Sequence, residues 1–184
     1  MESNPEMNKL FLLLLIIFSN TSHAQQPQQG KIIPEYGKTY KVESPGFETD
    51  TTSLMKVVFD VGRSFDQSAP NKLIQTAARY LNMHGQAGLK PENMKVALVL
   101  HGKAVQDVLK NQAYLERFPE AELNLNLPLI KALKEKGVRI ILCGQSAAFY
   151  NIDRKNASED VQFALSAMTA LVQLQNDNYR LINF

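Results

Sequence analysis

Residues 54–184 predict an α/β layered domain on a mainly parallel sheet of four to five strands. Three observations carry this. Apolar, β-branched runs recur at 54–62, 95–102 and 138–144. They are nearly continuous rather than alternating, which suits strands buried on both faces. Stretches with helical spacing fill the gaps between them, and such alternation implies right-handed crossovers.

The elements follow in order. Lys38–Glu43 has the composition of a brief edge strand or hairpin arm. The 54–62 run is the first buried strand. Leu73, Ala77 and Leu81 then form an i, i+4, i+8 stripe, with Asn71 placed to cap that helix. After the 95–102 strand, Ala104–Phe118 carries Val105, Val108, Leu109 and Leu115 and predicts a second helix. Leu129, Ile130 and Leu133 mark a third, opened by Pro128 and stopped by Gly137. The 138–144 strand precedes a short apolar helix, Ala147–Tyr150, with Ser146 as its expected N-cap. Val161, Ala164, Leu165, Met168, Leu171 and Val172 give the strongest helical stripe and place Met168 in the core. Asn178–Phe184 alternates and predicts a last strand at or near an edge.

Composition sets the outer bounds. The chain has 184 residues, 45% of them hydrophobic and 21% charged, so a wholly disordered or low-complexity chain is excluded. A net charge of +2 gives no argument for nucleic acid or an anionic membrane surface. A single cysteine excludes an intramolecular disulfide and a Cys-rich zinc site. The G-x-x-x-x-G-K-[ST], G-x-G-x-x-G, C-x-x-C and G-x-S-x-G motifs are all absent. No metal and no organic cofactor is expected.

The first residues have the order of an export signal. Met7-Asn8-Lys9 supplies a positive charge, Leu10–Phe18 is an unbroken apolar run, and Ser22 and Ala24 set a small-x-small cleavage site. The expected cleavage follows Ala24, and Met7 is an alternative start. The apolar run is too short to span a bilayer. The expectation is therefore a periplasmic or secreted protein, without a stable membrane span after cleavage. Residues 25–53, rich in Gln, Pro and Gly, read as a flexible leader.

In open parallel sheets, reactive groups gather beyond the carboxyl ends of the strands. The three buried runs end in Asp60-Val61-Gly62, His101-Gly102 and Cys143-Gly144-Gln145-Ser146. In a parallel sheet, Asp60, His101 and Cys143 would share one edge. A thiol beside a helix N-terminus gains thiolate character from the free N–H groups there. The other reading of Cys143 is an inert, buried strand-end residue. His101 can orient or deprotonate a thiol, bind an anion, or be satisfied by backbone alone. Asp60 can act as a base or anchor a turn. Tyr114 either roofs a pocket or packs, and His84 at a helix end favours the dipole.

The segments Lys56–Val61, Val96–Gly102, Ala113-Tyr114, Gly137–Ser146 and Ala164–Leu171 resemble the DsrE/DsrF-like family, and more narrowly its exported branch. The resemblance implies a three-layer, flavodoxin-like sandwich and a homo-oligomer, trimeric or hexameric. It further implies that a strand-end cysteine, matched here by Cys143, accepts and passes on sulfur as a persulfide. On this reading Cys143 and His101 are catalytic. Asp60, Gly102, Gly144, Gln145, Ser146 and Tyr114 stabilise the ligand or its charge, and the partners are small sulfur species or a sulfur-carrier protein. The competing reading is a non-enzymatic homo-oligomeric protein that binds a small ligand or partner in the strand-end crevice.

Overall fold

Strands apolar on both faces need cover on both sides, and the chain supplies it with helices. The computed structural model describes residues 25–183. The export signal expected over 1–24 lies outside them. Five strands form one sheet: β1 (Met55–Val61), β2 (Met94–Leu100), β3 (Arg139–Cys143), β4 (Gln162–Ala164) and β5 (Arg180–Ile182). Their order is β4-β3-β2-β1-β5, and every neighbouring pair is parallel. The helices are α1 (Gln75–Gln86), α2 (Asn111–Arg117), α3 (Asn126–Glu135), α4 (Gly144–Phe149) and α5 (Ala167–Asn176).

The two-residue period of the strands sorts the core into two halves. Val57, Phe59, Val61, Leu98, Leu100 and Leu142 face α1 and α3, where they meet Ala77, Leu81, Ile130 and Leu133. Val58, Ala97, Val99 and Ile141 face the other way, against Ala170 and Leu174 of α5 and Tyr179. The result is the three-layer α/β sandwich with a five-stranded parallel sheet. In the register, Val61 lies opposite Leu100 and Leu100 opposite Leu142. The carboxyl ends of β1, β2 and β3 therefore finish level with one another.

Four expectations need correction. The single helix expected over Ala104–Phe118 is two pieces, a 3-10 helix Gly102–Val108 and α2. Between them Leu109 pairs with Ala157, and the Lys110 N–H donates to the Asn156 carbonyl at 2.7 Å, so a tertiary backbone pairing interrupts the helical spacing. The stripe from Val161 to Val172 is also divided. Gln162–Ala164 pairs with β3, and the helix starts only at Ala167. With that start, α5 buries Ala170 and Leu174, and Met168 is 76% exposed rather than in the core. The edge segment Lys38–Glu43 contributes one antiparallel bridge, Gln28 to Thr39, and adds no strand to the sheet.

The fourth correction concerns the leader, which is held at its centre. Asn82, fully buried in α1, reaches it with both ends of its amide. Its Oδ1 accepts the N–H groups of Ile32 (3.1 Å) and Ile33 (2.9 Å), and its Nδ2 donates to the carbonyls of Ile33, Tyr36 and Gly37 at 2.9–3.1 Å. Ile33 itself is buried in the core. A polar amide in the middle of an amphipathic helix gives no sign in sequence of which segment it will bind.

A second buried polar cluster fixes the loop after β1. Asp107 accepts from Ser64 Oγ and Asn71 Nδ2, both at 2.6 Å. Burial pushes its carboxyl pKa up to about 6, against the opposing effect of the Asn71 and Ser64 hydrogen bonds. Asn71, expected to cap α1, instead closes the turn before it, its Oδ1 accepting the Leu73 N–H at 2.8 Å, while Ile74 is the N-cap and has no side-chain cap bond. Among the described residues no helix is long and apolar enough to cross a membrane.

Candidate active site at the ends of β1, β2 and β3

β3 runs directly into α4, and Cys143 stands at the junction. Cys143 itself is the N-cap, with its Sγ accepting the Ser146 N–H at 3.4 Å. Ser146, expected as the cap, lies instead in the first turn of α4. It does two other things there. Its side chain helps to hold the Cys143 thiol pKa down, and its Oγ accepts the Gly102 N–H at 3.0 Å. That second bond ties the turn after β2 to the start of α4.

The backbone N–H groups of Gln145 and Ala167 also favour the thiolate. Ala167 opens α5, whose N-cap Ser166 accepts the Thr169 N–H at 3.0 Å. Two helix starts thus converge on one thiol, where their exposed N–H groups favour negative charge. Burial is the largest single influence and pushes the thiol pKa up. The Ser146 hydroxyl and the three N–H groups together outweigh it, and the net pKa lies below the ordinary thiol value. Cys143 is only 4% exposed in the single chain.

Close approach explains the glycines. A Cβ on Gly144 would lie 2.6 Å from the Ala164 carbonyl, where β3 and β4 end together. Gly102 has φ +51°, and a Cβ there would lie 2.8 Å from the Gly62 carbonyl. Gln145 caps the rim, its Nε2 donating to the Leu165 carbonyl at 3.4 Å.

Asp60 and His101 form a separate pair on the adjoining strands. His101 Nε2 is 2.9 Å from Asp60 Oδ1. The approach is close but poorly aligned, and the buried Oδ1 gains no well-directed hydrogen bond from it. The ring lies over Gly62, whose Cβ would come within 2.7 Å of His101 Cε1. The link from this pair to the thiol runs through the Gly102–Ser146 bond.

Tyr114 is placed elsewhere, which settles its two readings. It is buried in the α1–α3 side of the core with its ring 4.8 Å from that of Phe118, so it packs there. Burial, with the charges of Asp107 and Asp66, pushes its pKa up to about 12. His84 lies in the last turn of α1, with its Nδ1 2.9 Å from the Tyr80 carbonyl. Sequence reading missed Ser166 and Ala167. Ser166 was legible as a cap before an apolar run, but its relation to Cys143 exists only once β4 pairs with β3.

Among the described residues no group of three or more His, Cys, Asp or Glu side chains is placed to hold a metal ion. The arrangement is suited to holding one anionic sulfur. The DsrE/DsrF-like family matches residues 55–184. The chain belongs to the DsrE/DsrF-like family. Two solved structures share the fold of this DsrE-like domain. One is the Methanobacterium thermoautotrophicum protein MTH1491, described as of unknown function, with 18% identity and a TM-score of 0.52. It covers 71% of this chain and 99% of its own. The other is the E. coli ychN protein, with 16% identity and a TM-score of 0.51, covering 71% of this chain and 100% of its own. No curated protein matches the sequence.

Proposed function

We propose that this DsrE-like protein handles sulfane sulfur outside the cytoplasm, accepting it on Cys143 and passing it on. The observation that carries this reading is the place of Cys143 at the N-cap of α4, with its sulfur accepting the Ser146 N–H at 3.4 Å and its thiol pKa held below the ordinary value. In the loading step the Cys143 thiolate attacks the sulfane sulfur of a persulfide or polysulfide. A new S–S bond forms to Cys143, the donor S–S bond breaks, and the donor leaves as a thiolate with the electron pair. No external oxidant or cofactor is needed. His101 stands beyond the neighbouring strand, paired with Asp60 and tied to the thiol site through the Gly102–Ser146 bond. Export rests on the basic, apolar and small-residue order of Met7–Ala24.

Mass spectrometry after incubation with polysulfide tests the chemistry. The expected result is the added mass of one sulfur atom on Cys143, removed by dithiothreitol and absent in Cys143→Ser. An unmodified Cys143 at donor excess sinks the reading.

Assembly into a homo-oligomer belongs to the same proposal. Phe149, Leu165 and Met168 flank the thiol and are each more than 70% exposed in the single chain. Sedimentation of the protein should show an oligomer, and Met168→Glu should shift it to monomer by burying a charge in the contact. A monomeric parent protein defeats this part. The same exposed residues favour a second reading, in which the crevice only binds a ligand or partner. Slow thiol labelling, with an ordinary or raised thiol pKa, would favour that reading.

A further inference from the structure

β5 is three residues long and lies at the edge beside β1, beyond the helices that cover the α1 face of the sheet. The flank of α1 and this uncovered edge enclose a cleft of about 600 Å³. Its apolar walls are Phe59, Leu73, Tyr80, Met83 and Ile182. Phe59 and Ile182 are register partners on β1 and β5, and they form its sheet side. Tyr80 meets Phe59 edge to face at 5.9 Å and lies 4.0 Å from the His84 ring, so one wall is a fixed aromatic cluster.

The polar groups in the lining are Lys72, Thr76, Arg79 and His84, and no carboxylate is among the lining residues. Thr76, Arg79 and Met83 lie at i, i+3 and i+7 on one side of α1, and Lys72 lines the same cleft from the turn that precedes the helix. Lys72 Nζ rests 4.3 Å from the Phe65 ring centroid, which holds it near the opening without neutralising it. Neither Lys72 nor Arg79 makes an ion pair with a described carboxylate. Glu35, the one acidic residue of an adjoining cleft that shares Arg79 and Met83, makes none with Arg79.

A cavity of several hundred Å³, mostly apolar with a few convergent polar groups, is the usual form of a small-molecule site. We propose that this cleft binds a small amphipathic anion, its apolar body between Tyr80, Met83 and Ile182 and its carboxylate or sulfonate at Lys72 and Arg79. The site is separate from Cys143 and does not depend on the sulfur-handling reading.

Fluorescence titration with 1-anilinonaphthalene-8-sulfonate tests it, with dodecanoate and dodecanol as competitors. The expected result is saturable binding that dodecanoate displaces more strongly than dodecanol. Thr76→Trp, which fills the cleft, should weaken binding by about tenfold or more. Lys72→Glu with Arg79→Glu, two surface exchanges that spare the core, should weaken it by about tenfold. Met168→Glu, on the opposite face, should leave it unchanged. Three results would overturn the proposal: no saturable binding, equal displacement by the two competitors, or loss through Met168→Glu with both cleft variants unaffected.

Discussion

Ser146→Ala is expected to slow alkylation of Cys143 near neutral pH by on the order of tenfold, while Ser146→Thr restores most of the rate. The Ser146 side chain holds the thiol pKa down, and a hydrogen bond to a charged acceptor is among the stronger ones in a protein. Its removal leaves burial, the largest influence on this thiol, opposed by fewer donors. The thiol pKa therefore rises and the thiolate fraction at a given pH falls. The rate profile of iodoacetamide labelling should keep its high-pH plateau and move its midpoint upward. The sign for stability follows from the lowered pKa of the folded protein. The thiolate interactions stabilise the fold fully above the ordinary thiol pKa, and this contribution fades as pH falls through the folded value. Ser146→Ala should remove part of that alkaline stabilisation. An unchanged midpoint would show that the backbone N–H groups alone hold the thiolate. The experiment also separates reactivity from function, because a reactive thiol that never loads sulfur defeats only the carrier role.

Asn82→Ala should destabilise the protein by about 3–5 kcal/mol, the range reached when a buried polar network loses its centre. The amide serves five backbone groups of the leader at once. Truncation to alanine leaves the N–H of Ile33 and the carbonyls of Ile33 and Gly37 buried without that partner. It also opens a void beside Gly30, whose Cβ would lie 1.8 Å from Asn82 Cγ in the native packing. Urea unfolding gives the magnitude. Limited proteolysis gives the location, with new cleavage expected within residues 25–40 before the sheet opens. A loss below about 1 kcal/mol would mean that the leader is held by its own contacts, Ile33 among them.

The placement of the strand ends was largely readable from the chain, because continuous apolar runs ending in polar-Gly pairs follow from burial on both faces. Asp60, His101 and Cys143 do reach one edge of a parallel sheet. What each does there was less readable. Ser146 could be read only as a local cap, since its bond to Gly102 spans 44 residues of sequence. Tyr114 offered two readings on an amphipathic pattern, and only packing against Phe118 chose between them.

The amino-acid order by itself determined the layered α/β class, the buried strands and the lone thiol at a strand end. Those depend on local hydrophobic period and on turn chemistry, which act over a few residues. Only the tertiary structure decided that Gln162–Ala164 is a strand, that Met168 faces outward, that Asn82 holds the leader and that the start of α5 points at Cys143. Each of these depends on which distant segment supplies the hydrogen-bond partner, and backbone groups left unpaired in the interior are costly enough to override the local helical pattern.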